Sequence, residues 1–169
     1  CMASSSAGTS MLGAAGSSVV PLRYGECSSA CELASSWKFA SVGDRGLFGT
    51  FAKLALNAQG KPRIVWNRAE FSTSSSASAF HFASCDANCT SDASWTSGAF
   101  LPLTESLYSK VGRNLSVDGT GRVHFIYAQR GLHYTTCASN CTLPASWSAP
   151  IKLVADSGRV SLATTASGQ

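Results

Sequence analysis

The sequence predicts an all-β protein assembled from β-propeller blades, on three observations. Apolar residues alternate or gather in short β-branched runs, and no stretch of 12 residues keeps a helical 3.6-residue period. A Cys-x3-Cys-x5-Trp unit occurs three times without gaps. A strand, turn, strand element recurs between the copies, so each period of about 50 residues holds four short antiparallel strands, the content of one blade. A β-sandwich with a duplicated motif is the alternative the same strands allow.

Residues 1–17 are rich in Ser, Gly and Ala and read as a flexible tether. Residues 18–169 read as the repeat domain, with units at about 22–79, 80–131 and 132–169. The first unit opens with Leu22-Arg23-Tyr24, then Cys27, Cys31 and Trp37; the second with Phe80-His81-Phe82, Cys85, Cys89 and Trp95; the third with Leu132-His133-Tyr134, Cys137, Cys141 and Trp147. Each Trp follows a Ser, and a strand is expected to leave it, as in Trp37 to Ala40 or Trp147 to Leu153. Hairpins are expected over Leu54 to Trp66 and Leu115 to Tyr127, where Asn57 or Asp118 starts the turn and a Gly at positive φ precedes the returning strand. Phe48 to Leu56 is the best amphipathic helical candidate, and Gly49 interrupts it. A third hairpin begins at Leu162. Strand counting therefore suggests that Val160 to Thr164 joins Val19 to Glu26 in one blade across the termini, with Ser17 to Val20 as a return strand, and that a ring needs two copies of the chain or a longer one.

The chain has 169 residues, of which 44% are apolar and 13% charged. A domain of that length buries roughly 70% of its unfolded surface, so it can hold a core without metal or crosslinks. No run of 18 apolar residues exists to make a transmembrane helix. The net charge of +4 is scattered, without a Lys/Arg block, so no nucleic-acid partner is expected. There is no Gly-rich phosphate loop, no His-Glu-x-x-His and no calcium loop, so no cofactor is expected.

Seven cysteines divide into three close pairs and Cys1. Two cysteines four apart can be bridged across a tight turn, so Cys27–Cys31, Cys85–Cys89 and Cys137–Cys141 are expected disulfides that fix their turns. Reduced thiols and a metal site are the alternatives. His81 and His133 precede their pairs by four residues, but Arg23 stands in that place in the first unit, and zinc sites favour Cys-x2-Cys with a second pair nearby. No metal site is therefore expected. Cys1 followed by a Ser/Gly tether reads as a lipidated N-terminus of a surface lipoprotein, or as an arbitrary fragment start. Bridged pairs imply an oxidising compartment, hence secretion or the cell surface.

The Cys-x3-Cys-x5-Trp units resemble repeats of secreted bacterial β-propellers, loosely grouped with sialidase-like (BNR-type) repeats, over residues 22 to 169. The resemblance implies blade architecture. It does not imply catalysis, because an Asp-box reads Ser-x-Asp-x-Gly-x-Thr-Trp, and Ser116 to Gly121 lacks both the placed Gly and the Trp.

The nine acids are spread singly and mostly in expected turns, so no carboxylate pair for glycoside cleavage stands out. His124 lies between Val123 and Phe125 and reads as a satisfied strand histidine. Trp37, Trp95 and Trp147 are expected to pack between blades. Trp66 with Asn67 and Arg68, and Tyr127 with Gln129 and Arg130, place an aromatic beside an amide and a guanidinium, a set that can stack on a sugar ring and bond its hydroxyls; core packing is the alternative. Asn88, Asn114 and Asn140 match glycosylation acceptors, but two of these matches share a residue with a Cys pair, and an Asn in such a turn is better explained by tolerance of left-handed φ. The expected function is thus an extracellular, non-catalytic binding or scaffold module for a glycan or protein partner. The alternatives are a sialidase-like glycoside hydrolase and a purely structural blade array.

Overall fold

The computed structural model describes residues 2–4, 22–43, 48–68, 78–103, 113–156 and 160–165. They form three antiparallel sheets, with no α-helix among them, so the all-β expectation holds. The first sheet contains β1 (Met2–Ser4), β2 (Leu22–Glu26) and β3 (Lys38–Val42) in that order. The second is a four-stranded meander of β4 (Phe48–Leu56), β5 (Pro62–Arg68), β6 (Ser78–Ser84) and β7 (Thr96–Leu103). The third repeats it with β8 (Arg113–Val117), β9 (Val123–Ala128), β10 (Leu132–Cys137) and β11 (Ile151–Val154).

Both hairpins form where an Asn or Asp turns the chain. The Asn57 Oδ1 accepts the amides of Gln59 and Lys61 at 3.1 and 2.8 Å, and Asp118 Oδ1 accepts those of Thr120 and Arg122 at 2.9 and 3.0 Å. Gly60 and Gly121 then take φ of +71° and +87°, which a side chain would oppose, and the returning strand follows. The segment from Phe48 to Leu56 is strand throughout, because Ile64, Val65 and Trp66 offer it a ladder and Gly49 forbids a stable helix.

Consecutive sheets stack face to face. Leu22, Tyr24 and Val42 of the first sheet meet Ile64, Trp66, Ala83 and Cys85 of the second. Phe80, Phe82, Phe100 and Leu103 of the second meet Leu115, Val123, Phe125 and Tyr127 of the third. Alternation along each strand directs one set of side chains to each neighbour, so the middle sheet is buried on both faces. Gly98 shows how near the sheets come: a Cβ there would run into the carbonyl oxygen of Thr142 in the third sheet's connection.

Two expectations about the termini change. Met2–Ser4, within the stretch read as tether, pairs with β2 through Met2 opposite Gly25 and Ser4 opposite Arg23. Residues 160–165 do not join the first sheet; they lie beside β8, where Asn114 Nδ2 donates to Ser161 Oγ at 3.5 Å and the Ser116 and Thr164 hydroxyls bond at 2.7 Å. The reason is local: β8 already lies beside β4, so the next segment of like sequence finds the same kind of neighbour in β8. Cys1, the rest of the tether and Ser17 to Val20 lie outside the described residues.

Candidate functional site

The most regular chemistry sits at one end of each sheet. Cys27–Cys31, Cys85–Cys89 and Cys137–Cys141 are bridged, each with Cα atoms 5.7 Å apart. The residue before the second Cys takes left-handed φ: Ala30 at +50°, Asn88 at +53° and Asn140 at +54°. That conformation lets its carbonyl accept the amide three residues on, from Leu33, Ser91 and Leu143, each at 2.9 Å. A single 3-10 turn follows, and the Trp after it folds back. Trp37, Trp95 and Trp147 donate their indole N–H to the carbonyls of Cys31, Cys89 and Cys141 at 2.8, 2.9 and 2.8 Å. Bridge, turn and indole thus close one rigid knot per sheet, and the serine before each Trp acts through its backbone amide.

The knot is also the joint between sheets. The Trp95 ring lies 5.1 Å from Tyr24 of the preceding sheet, and Trp147 stacks on Phe100 at 4.0 Å and meets Phe82 edge-on at 5.9 Å. Asp92 adds a polar tie, accepting the Ser41 amide of the first sheet at 2.7 Å. Trp37 stacks instead on its own Phe39, at 6.3 Å.

The structure places the aromatics expected to meet a ligand in the interior. Trp66 is 4% exposed and Tyr127 3%. Trp66 stacks on its cross-strand partner His81 at 5.3 Å with its indole edge against Gly43, and Tyr127 stacks on His133 at 5.3 Å. Burial pushes the Tyr127 phenol up to about 12. Neither ring has a face open to a sugar, so the core reading of both fits this geometry. Asn67 is buried as well, while Arg130 is exposed in the tight loop between β9 and β10, at φ +47°. Gln129 shares that loop, its amide donating to the Gly131 carbonyl at 2.8 Å. The Arg68 side chain lies outside the described residues. The two trios sit at equivalent ends of β5 and β9, in different sheets.

A polar cluster that sequence reading left unassembled lies on the outer face of the third sheet. Asp118, His124 and Tyr134 form a chain: His124 Nε2 is 3.0 Å from Asp118 Oδ2, and His124 Nδ1 is 2.6 Å from the Tyr134 hydroxyl. A carboxylate only accepts, so Nε2 carries a proton, and in the neutral imidazole Nδ1 accepts from Tyr134. The Thr120 hydroxyl donates to Asp118 Oδ1 at 2.6 Å. That bond, with those from His124 and the two turn amides, outweighs burial and holds the Asp118 carboxyl well below the usual carboxylate range. Burial raises the Tyr134 phenol, with the Arg122 charge opposing and the Asp118 charge adding to the rise. The signal available in sequence was the Asp118 and His124 spacing around an Asx turn; pairing through Tyr134 needs the strand register of Thr136 opposite His124.

Among the described residues no group of three or more His, Cys, Asp or Glu stands close enough to hold a metal ion, and no helix is long and apolar enough to cross a membrane. Three disulfides fit an extracellular environment. No protein-family model, curated protein or solved structure matches this chain.

Proposed function

We propose that this chain works outside the cell as a non-catalytic binding and scaffold module, its sheets serving as blades of a secreted, sialidase-like propeller that lacks Asp-boxes. The threefold recurrence of bridge, 3-10 turn and Trp clamp carries this reading. It builds rigidity into the same end of every sheet, as a display scaffold requires. In this reading the partner is a glycan or an extracellular protein held at the loop ends, with Gln129 and Arg130 as polar contacts.

The test uses an array of immobilised glycans and a panel of fluorogenic glycosides that includes sialosides. The expected result is binding without turnover, with binding weakened at least tenfold by Arg130→Ala. Turnover abolished by changing one carboxylate would establish a hydrolase instead.

A further inference from the structure

We propose that the chain associates head to tail with a second copy of itself, the free face of the third sheet docking on the free face of the first. The two internal joints show what such faces accept: Trp95 and Trp147 of one sheet rest on Tyr24 and Phe82 of the sheet before it. The third sheet offers the same set again. Tyr134 holds the place of Tyr24 and Phe82 before the Cys pair. Leu153 holds the place of Phe100, since each is the extra residue at the same break of register, between Leu132 and His133 as between Phe80 and His81. Phe100 is 3% exposed beneath Trp147, whereas Leu153 is 48% exposed, and Ile151 and Val154 beside it are also open.

At the other end, Trp37 and Phe39 cover the outer face of the first sheet, with the Phe39 ring over Gly25 and 50% exposed. Size is complementary at this joint. Ile151 pairs with Tyr134 where Ala40 pairs with Tyr24 and Gly98 with Phe82, so the third sheet cannot be approached as closely as the others. Phe39, standing two residues after its Trp where Ser97 stands in the second sheet, supplies the volume to fill that wider gap. Among the described residues the first sheet has three strands where its neighbours have four, and residues 160–165 lie beside β8 at the edge where a further first strand belongs. A docked copy brings that segment next to β1. Such a contact buries exposed apolar surface.

The inference rests on the stacking of the sheets and not on glycan recognition, so each can fail without the other. Sedimentation equilibrium on the intact oxidised chain tests it. The expected mass is at least twice the 17.5 kDa of one chain. Phe39→Asp and Leu153→Asp, both at exposed positions, are each expected to weaken association at least tenfold with circular dichroism and disulfides intact. Leu143→Asp, which is equally exposed but lies in the knot packed on the second sheet, is expected to leave the mass unchanged. A monomer at every concentration overturns the proposal. So does a dimer broken by Leu153→Asp and untouched by Phe39→Asp, since two third-sheet faces would then be pairing with each other.

Discussion

Replacing Trp147 by Ala removes the indole that joins the third sheet to the second. Its ring stacks on Phe100 at 4.0 Å with an 18° interplanar angle and meets Phe82 edge-on, and its N–H closes on the Cys141 carbonyl at 2.8 Å. Truncating a buried Trp costs about 3–5 kcal/mol, and because Trp147 is half-buried the lower figure applies. Of about 3 kcal/mol, the aromatic contacts beyond area supply roughly 1, the hydrogen bond about 1, and the lost apolar area the rest. Trp147→Phe separates these, since it keeps a ring over Phe100 and loses the N–H bond, for an expected cost of about 1–2 kcal/mol. Urea unfolding followed by far-UV circular dichroism reads both. With a slope of about 2 kcal/mol/M, the Ala variant moves the midpoint down by about 1.5 M and the Phe variant by under 1 M. A loss below about 1 kcal/mol for the Ala variant would refute the reasoning, because the indole would then be a surface ornament of its own turn.

Other substitutions probe separate links. Gly98→Ala puts a methyl group against the Thr142 carbonyl, where no side chain can move aside, and is expected to lower stability by about 1–3 kcal/mol by thermal unfolding. Ala30→Asn gives the first knot the residue that Asn88 and Asn140 supply at the same left-handed φ, and is expected to raise the melting temperature by a few degrees, for about 1 kcal/mol. Asp118→Asn keeps the turn, since an amide oxygen serves the same purpose at Asn57, but loses the carboxylate facing His124. The folded Asp118 carboxyl lies below its unfolded value, so its contribution is present above about pH 4 and is lost as pH falls below that. The stability gap between wild type and Asp118→Asn, measured in urea at pH 7 and pH 3, is therefore expected to narrow at pH 3; a gap of constant size would show that the carboxylate charge is irrelevant.

The periodic features were legible because each rests on local chemistry. Cys-x3-Cys fixes a short bridge, Asn57 and Asp118 fix Asx turns, and Asn88 and Asn140 announce left-handed φ. Trp95 and Trp147 were legible as packing residues because they recur at one repeat position. What depends on register between strands was not readable. The clasp of each indole on a carbonyl six residues back, the pairing of Met2–Ser4 with β2 and the union of Asp118, His124 and Tyr134 all follow from three-dimensional closure. Trp66 and Tyr127 show the limit most clearly: an aromatic beside an amide and an Arg reads equally as a sugar platform or as a core residue at a strand end, and only the neighbouring sheet decides.

The stacking of three disulfide-knotted sheets in chain order, with the Trp95 and Trp147 clamps each seated on the sheet before its own, underlies the whole structure. Proton NOE spectroscopy on the oxidised protein tests it most directly, since the chain has only four Trp residues whose indole signals must be told apart. Cross-peaks are expected from the Trp147 indole to the ring protons of Phe100, and from Trp95 to Tyr24. Cross-peaks from these indoles confined to their own knots would contradict the stacking.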